Sequence, residues 1–337
     1  MKNKFIKWFG ILVSITFIMS TAGVCVAAQE SSSTSADNTK SNLRDPIHDS
    51  GINTYGVKKK WLDIPYANIS PTEKLDIYLP NKGKGPFPVI VAIHGGAFMF
   101  GDKQSGQVND EMAGLTRGYA VVSVNYRLSG EAQFPSAIYD VKAAIRFIKA
   151  HAAEYNLNPN KIAAWGNSAG ANLVALMGTS AGIKTLEDLS MGNAEQTSNV
   201  QAVVDFYGPI NFLTMDVEHE ASGMAAKVPD IQKHSPADSA ESRYMGAQIT
   251  TIPEKVKLAS PVTYISAKAV PFFIEHGTMD PVVPFQQAVD FAAALENVIG
   301  KEKVVFVRLE GAGHGTKEFS TPENLIRVFN FLDKYLK

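Results

Sequence analysis

The stretch of sequence that decides the fold is KIAAWGNSAG, residues 161–170, followed by the apolar run ANLVALM. Residues 161–165 have the pattern of a buried β-strand, and residues 169–177 have the composition of a helix. The pattern Gly-Asn-Ser-Ala-Gly joins them, so the chain must turn sharply from strand to helix. Such a turn is strained and tolerates only small neighbours, and it lifts the serine hydroxyl above the sheet. We therefore expect Ser168 to act as a nucleophile.

A second match to the G-x-S-x-G pattern lies at residues 178–182, with Ser180 at its centre. The pattern alone therefore cannot choose between the two serines. Ser180 follows the predicted helix, and Gly178 is expected to cap the end of that helix. Ser168 instead precedes the helix, whose positive N-terminal end faces any negative charge that develops there. This context favours Ser168.

On both sides of this turn, short apolar strands alternate with amphipathic helices. Strands are predicted at residues 74–79, 88–93, 119–124, 161–165, 202–206, 271–276 and 304–309. Helices are predicted at residues 136–151, 169–177, 285–298 and 323–335. The alternation predicts an α/β protein with a mostly parallel central sheet and helices on both faces. Functional side chains are then expected at the carboxyl ends of the strands. Residues 209–268 lack this alternation, and we expect a small lid or cap insertion there.

A serine nucleophile needs a general base, and His314 is the best placed of the seven histidines. It lies in a loop of small residues that follows the strand predicted at 304–309. The acid that would orient this base is expected after another strand. Asp280 meets this condition and keeps the chain order serine, acid, histidine. Asp205, at the end of an earlier strand, is the alternative, and Glu275 is a weaker third choice.

Backbone amides suited to an oxyanion follow the strand predicted at 88–93, where the chain reads HGGAF at 94–98. Glycines in such a loop let bare amides converge on one point. We expect the amides of Gly96 and Ala97, together with that of Ala169 beside the nucleophile, to form an oxyanion hole.

Composition and missing motifs exclude several other classes of protein. The chain has 32 Lys and Arg against 33 Asp and Glu, without the basic excess typical of nucleic-acid-binding proteins. Its 45% hydrophobic content is too high for an intrinsically disordered chain. The sequence contains no H-E-x-x-H helix, no G-K-[ST] phosphate loop and no strand followed by G-x-G-x-x-G. These common signatures of zinc, phosphate and dinucleotide sites are therefore missing from the sequence.

The N-terminal residues have the three regions of a secretory signal peptide: a basic start, an apolar run at 9–19 and small residues before a cut after Ala28. We expect residues 1–28 to be removed, 29–53 to form a flexible polar lead-in and 54–337 to form the folded domain of a secreted protein. An uncleaved anchor is the alternative. The only cysteine, Cys25, would leave with the signal peptide, which excludes disulfide and thiol chemistry in the mature chain.

In the order of its motifs, the chain resembles the α/β-hydrolases. HGGAF at 94–98, NYRL at 125–128, GNSAG at 166–170 and the loops of Asp280 and His314 follow that family's order. Within the family, the chain is similar to the bacterial acetyl-xylan and feruloyl esterase-like group, which is related to the hormone-sensitive-lipase-like esterases. It departs from the latter at four positions, which carry Ala97, Asn125, Asn167 and Ala171. These departures leave the three catalytic candidates intact but do not favour lipase-type specificity.

The resemblance implies hydrolysis of carboxylic esters through an acyl-serine intermediate, without a metal or organic cofactor. The expected partner is a small-molecule or polysaccharide-linked ester, with no nucleic acid and no membrane span after signal cleavage. Two alternatives are a serine peptidase of the same fold and a catalytically silent binding module. Such peptidases commonly carry a large additional domain, for which the mature chain has no room. The complete set of Ser168, Asp280 and His314 argues against a silent module.

Overall fold

A central sheet of eight strands organises the computed structural model, which describes residues 51–226 and 231–337. The predicted signal peptide and most of the predicted lead-in lie outside the described residues. The strands are β1 (Lys59–Pro65), β2 (Lys74–Leu79), β3 (Phe87–Ile93), β4 (Ala120–Val124), β5 (Leu157–Asn167), β6 (Ala202–Phe206), β7 (Phe272–Gly277) and β8 (Val304–Leu309).

The strands lie in the order β1-β2-β4-β3-β5-β6-β7-β8. Every pair from β4 to β8 is parallel, whereas β2 runs antiparallel to both β1 and β4. The prediction of a mostly parallel sheet is therefore confirmed. Strand β1 was not predicted, because most of its residues are exposed and its pairing with β2 is interrupted by a bulge.

Helices cover both faces of the sheet. They are α1 (Asn109–Met112), α2 (Ser136–Ala150), α3 (Ala169–Thr179), α4 (Met215–Ala221), α5 (Ala240–Met245), α6 (Pro253–Leu258), α7 (Phe285–Ile299) and α8 (Pro322–Leu336). The four longer helices match the predicted ones to within two residues at each end. None of the helices within the described residues has the length and apolarity that a membrane crossing requires.

The alternating side chains of β5 belong to two separate clusters of the hydrophobic core. Ile162 and Ala164 belong to the cluster formed with α2, α3 and α7, whereas Ala163 and Trp165 belong to the cluster formed with α8. Side chains on a strand point to opposite faces in turn, so β5 is buried on both sides. Trp165 is fully buried with its ring edge-on to Phe329 of α8. Burial of a side chain of this size stabilises the fold by roughly 2–3 kcal/mol.

The register of the parallel strands brings their carboxyl ends to one edge of the sheet. Ile93 of β3 pairs with Gly166 of β5, which in turn pairs with Asp205 of β6. Farther along the same edge, Gly277 of β7 pairs with Leu309 of β8. The loops that follow these strands therefore meet at a common edge, as the sequence predicts.

The segment of residues 209–268 contributes no strand among its described residues and contains the short helices α4, α5 and α6. Its apolar residues Met215, Tyr244 and Met245 are buried against the main core. The role of this segment as a lid stays a prediction.

Candidate active site

The turn between β5 and α3 holds Ser168 in a strained backbone conformation. Ser168 has φ 53° and ψ −119°, in the left-handed half of the map that side chains rarely adopt. Such a conformation costs about 1–3 kcal/mol and persists only where the surroundings enforce it. The Ser168 amide donates to Phe206 O at 2.9 Å, which ties the turn to β6.

Both glycines of the pattern are needed in this turn, because other parts of the backbone approach them closely. A Cβ on Gly166 would lie 2.4 Å from the backbone of Gly170, and one on Gly170 would lie 2.1 Å from Ile93 O. Contacts this short are incompatible with any side chain. The G-x-S-x-G pattern therefore records packing between β3, β5 and α3 as well as the position of the serine.

Ser180, the centre of the second match, lies at the end of α3. It is fully buried, and its hydroxyl donates to Leu176 O at 2.5 Å, one turn earlier in the helix. The prediction that Gly178 caps this helix is wrong, because α3 continues to Thr179. Gly178 instead lets the helix lie close to the sheet, since a Cβ there would be 2.6 Å from the ring of Phe272.

His314 lies between the serine and an acid. Its Nε2 is 2.9 Å from Ser168 Oγ, and its Nδ1 is 2.7 Å from Asp280 Oδ2. An ionised carboxylate only accepts hydrogen bonds, so Nδ1 carries the proton and Nε2 is free to accept the hydroxyl proton. The side chain of His314 is 19% exposed, so the reacting edge remains open to a substrate while Asp280 is buried.

Close contact between two loops makes this alignment possible. A Cβ on Gly277 would lie 2.4 Å from Ala312 O, so only glycine lets the loop of His314 pass this near β7. Met279 N also donates to Ala312 O at 2.9 Å. The loops that carry the acid and the base are thus bound to each other through their backbones.

The carboxylate of Asp280 is surrounded by donors. Its Oδ1 accepts the amides of Val282 and Val283 at 2.8 and 2.9 Å, and its Oδ2 faces His314 and His276. Burial alone would raise the pKa of Asp280. The nearby His314 and the hydrogen bonds from both histidines outweigh burial and hold this pKa well below its usual range. Asp280 therefore remains ionised at neutral pH.

The two rival acids lie elsewhere. Asp205 Oδ1 accepts the Gly208 amide at 3.0 Å, and burial raises the pKa of Asp205 to about 7. Glu275 is buried on β7 with its Oε2 accepting Asn324 Nδ2 at 2.7 Å, and burial raises its pKa to about 8. Neither carboxyl group is bonded to His314 in the part of the chain that the structure describes.

The loop after β3 passes directly over the nucleophile. A Cβ on Gly95 would lie 3.2 Å from Ser168 Cβ, and the Gly95 amide donates to Gln107 Oε1 at 2.9 Å. Gly96, Ala97 and Phe98 follow with φ angles of 115°, 54° and 59°. Successive residues with positive φ form a tight turn, and backbone turns of successive amides can make anion-binding concavities.

Three amides are available at this point. Gly96 N and Ala97 N donate to no oxygen atom within residues 51–226 and 231–337. Ala169 N begins α3, where the first amides of a helix have no partner within the helix. The three predicted donors therefore combine free amides with the positive end of a helix, a suitable environment for an oxyanion.

A buried aromatic pair holds the start of this loop. The ring of His94 stacks on Tyr126 with centroids 4.5 Å apart, and Tyr126 Oη donates to His94 O at 3.0 Å. Burial lowers the pKa of His94, so its ring is neutral and structural.

Sequence reasoning missed Tyr207, whose ring lies edge-on to the imidazole of His314 with centroids 4.6 Å apart. Tyr207 also packs on Phe319 at 4.6 Å and has a φ of 47°. Tyr207 therefore packs directly against the base. The available signal was its position directly after β6, at the edge where the other loops meet.

Sequence reasoning also missed a buried acid behind the nucleophile. Glu111 of α1 is fully buried, and its Oε1 lies 3.4 Å from Asn167 Nδ2. Burial raises the pKa of Glu111 well above its usual value. An amide at position 167 avoids a second carboxyl group beside Glu111, which gives a physical reason for one departure from the lipase-like pattern.

Metal-ligand side chains do not converge elsewhere in the described part of the chain: no group of three or more His, Cys, Asp or Glu could hold an ion there. The absence of a cofactor stays an expectation from the sequence.

Comparison with known proteins finds a matching family model, similar sequences and similar structures. The BD-FAE family model matches residues 75–295. The chain is 35% identical over 256 residues to the probable carboxylic ester hydrolase LipM of Mycobacterium tuberculosis (strain ATCC 25618 / H37Rv), which covers 75% of this chain and 55% of LipM. The chain thus spans about half the length of the first curated relatives it matches.

Two solved structures share both sequence and fold with the chain. A truncated form of a carbohydrate esterase from gut microbiota is 30% identical, with a TM-score of 0.75 over 85% of this chain and 99% of that one. A bifunctional GH43-CE protein of Bacteroides eggerthii is 32% identical, with a TM-score of 0.73 over 82% of this chain and 38% of that one. Since the family model covers more than half of the 337 residues, the chain belongs to the BD-FAE family and has the α/β-hydrolase fold.

Proposed function

We propose that this protein is a carboxylic ester hydrolase that forms an acyl-serine intermediate on Ser168. One observation carries the proposal: the imidazole of His314 lies 2.7 Å from Asp280 and 2.9 Å from Ser168 Oγ. The names of the similar proteins, a probable carboxylic ester hydrolase and a carbohydrate esterase, support the same reaction class. The serine peptidase and the silent binding module are disfavoured by these relatives.

In the first half of the proposed reaction, Ser168 Oγ attacks the ester carbonyl carbon while His314 Nε2 takes the hydroxyl proton. Asp280 stabilises the resulting imidazolium through Nδ1 and keeps its own charge. The carbonyl oxygen becomes an oxyanion, which accepts hydrogen bonds from the amides of Gly96, Ala97 and Ala169. His314 then gives its proton to the leaving alcohol as the bond from carbon to the alcohol oxygen breaks.

In the second half, a water molecule repeats these steps on the acyl-serine. His314 removes a proton from the water as its oxygen attacks the acyl carbon, and the same amides hold the second oxyanion. The bond to Ser168 Oγ breaks, His314 returns the proton to the serine, and a carboxylic acid leaves. Loss of one oxyanion donor typically slows such a reaction by a factor on the order of 10²–10³.

We further propose that the substrates are short-chain or carbohydrate-linked acyl esters and that residues 209–268 form a lid that shapes the acyl site. The carbohydrate esterase among the similar structures supports the substrate class. The N-terminal sequence supports secretion with cleavage after Ala28, which N-terminal sequencing of the exported protein tests.

The matched variants Ser168→Ala and Ser180→Ala test the proposal with p-nitrophenyl acetate. We expect Ser168→Ala to abolish turnover and labelling by a fluorophosphonate probe. Ser180→Ala removes only a hydrogen bond at the end of α3, so this variant should keep both turnover and labelling. Acetyl-xylan, feruloylated polymer, esters of C2 to C12 acids and peptides, tested in parallel, separate the substrate classes. Full turnover by Ser168→Ala, or cleavage of peptides alone, would overturn the proposal.

A further inference from the structure

A second histidine lies against the proposed catalytic acid and approaches the same carboxylate oxygen as the base. His276 occupies the end of β7 and is fully buried. Its Nε2 lies 3.0 Å from Val283 O and 3.2 Å from Asp280 Oδ2. The ring of Phe285 stands edge-on to its imidazole at 5.9 Å. Neither the proposed mechanism nor the sequence motifs assign this side chain a role.

The surroundings of His276 determine where its proton lies. Both neighbours of Nε2, the Val283 carbonyl and the Asp280 carboxylate, are acceptors, so Nε2 must carry hydrogen. Its Nδ1 is buried and has no hydrogen-bond partner within the described residues. A second proton on Nδ1 would leave a buried N–H without an acceptor, which is costly. The stable form is therefore the neutral ring with hydrogen on Nε2.

This N–H completes the set of donors around the carboxylate of Asp280. The backbone amides of Val282 and Val283 occupy Oδ1, and His314 approaches Oδ2 at 2.7 Å. The Nε2–H of His276 divides between Val283 O and the same Oδ2. It thus binds both the backbone of the loop and the carboxylate, and it prevents Asp280 from rotating away from the base.

We propose that His276 is a positioning residue for hydrolysis, holding Asp280 Oδ2 in line with Nδ1 of His314. The inference rests on the proposed function, because the aligned groups are those of the acyl-transfer mechanism. Without the Nε2–H, the loop after β7 loses a contact at each end and the acid can turn. Misplacement of a catalytic group by about 1 Å costs up to roughly a hundredfold in rate. We expect kcat to fall between tenfold and a hundredfold, with KM unchanged.

Several titratable groups face His276 and its acid, and they bear on any pH profile. Asp205 lies on the neighbouring strand β6, where it pairs with Ile274, two residues before His276 on β7. His314 acts through the shared Asp280. From α4, the Nε2 of His219 lies 3.5 Å from Val282 O on the same loop. None of these contacts requires a second proton on His276.

Two amide variants of matched chemistry test the proposal. In His276→Gln the side-chain nitrogen reaches the place of Nε2, whereas in His276→Asn it reaches only the place of Nδ1. We expect His276→Gln to keep kcat within about threefold of the wild type and His276→Asn to lose tenfold or more. The acidic limb of the kcat/KM profile should move to lower pH only in His276→Asn, since a carboxylate that has turned away from Nδ1 stabilises the imidazolium of His314 less. Equal kcat values and equal pH profiles for two folded variants would overturn the proposal.

A measurement on the wild-type protein does not depend on how the variants fold. In ¹⁵N-histidine-labelled protein at pH 8, with assigned resonances, we expect hydrogen on Nε2 of His276 and on Nδ1 of His314. Hydrogen on Nδ1 of His276 would overturn the proposal, because Nε2 could then donate to neither oxygen. The proposed function is tested separately, since its failure would appear as absent ester turnover by the wild type whatever the tautomer.

Discussion

Replacement of Asp280 by asparagine tests the proposed relay most directly, because the structure determines which way the new amide must face. Oδ1 accepts two backbone amides, at 2.8 and 2.9 Å, so the oxygen of the amide must stay there. The NH₂ group then takes the place of Oδ2 and points at Nδ1 of His314, 2.7 Å away in the native site. Two donors cannot face each other, so His314 must move its hydrogen to Nε2. In that tautomer it cannot accept the proton of Ser168.

The size of the loss follows from this change of tautomer. In serine hydrolases where the orienting aspartate becomes asparagine, kcat falls by a factor on the order of 10⁴ while the geometry is retained. That factor corresponds to about 5.4 kcal/mol of transition-state stabilisation. We expect the same loss in kcat for Asp280→Asn, with a smaller change in KM. Thermal unfolding should show a folded protein of lower stability, because the buried donors around Asp280 favour the charged carboxylate.

The assay is the hydrolysis of p-nitrophenyl acetate at pH 8, with fluorophosphonate labelling to count reactive serines. Asp205→Asn is the matched control, because an amide oxygen there can still accept the Gly208 amide now 3.0 Å away. We expect this control to stay within about threefold of the wild type. If Asp280→Asn kept kcat within tenfold of the wild type, or if Asp205→Asn caused the larger loss, the reasoning would be refuted.

Three further predictions concern the packing behind the site, each measured by urea unfolding. Asn167→Asp places a second acid beside buried Glu111. It should lower the free energy of unfolding by roughly 2–4 kcal/mol at pH 8 and by less at pH 5. Equal losses at both pH values would contradict this expectation. Burial raises the pKa of Glu275 to about 8 from its ordinary 4.5, so the folded state holds a proton that the unfolded state releases between these values. The free energy of unfolding of the wild type should therefore fall as pH rises from 5 to 8. Glu275→Gln should reduce that fall by at most about 1.4 kcal/mol per unit of pKa shift. An unchanged dependence of stability on pH would contradict the raised pKa of Glu275. Gly170→Ala puts a methyl group 2.1 Å from a backbone oxygen of β3 and should cost about 2 kcal/mol or more, whereas Gly130→Ala, with open space around its Cβ, should cost almost nothing.

The parallel sheet could be predicted because its signals are local. Strands such as β4 and β6 are apolar apart from one residue each, and the glycines at 166 and 170 mark the expected turn from strand to helix. Strand β1 escaped prediction because its residues are mostly exposed, so it has no apolar alternation. Its place depends on pairing with β2, which is a non-local property.

The same distinction applies to the candidate site. Ser168, Asp280 and His314 follow strand ends in a characteristic order, so chain order alone suggests that they meet. Tyr207 and His276 also follow or end strands, but their roles depend on contacts across the sheet edge that no spacing reveals. The loops that carry the catalytic candidates can therefore be predicted from the sequence, whereas the side chains that support these candidates cannot.

The position of β8 has a consequence for how catalysis depends on assembly. This strand lies at one edge of the sheet and, among the described residues, pairs with β7 alone, yet the loop after it carries His314. The base comes 146 residues after the serine, so a growing polypeptide holds its nucleophile long before any partner exists to activate it. If this strand lost its pairing with β7, its loop would no longer hold the base beside Ser168, and the proposed turnover would stop. The proposed activity therefore depends on the pairing of one strand at the edge of the sheet.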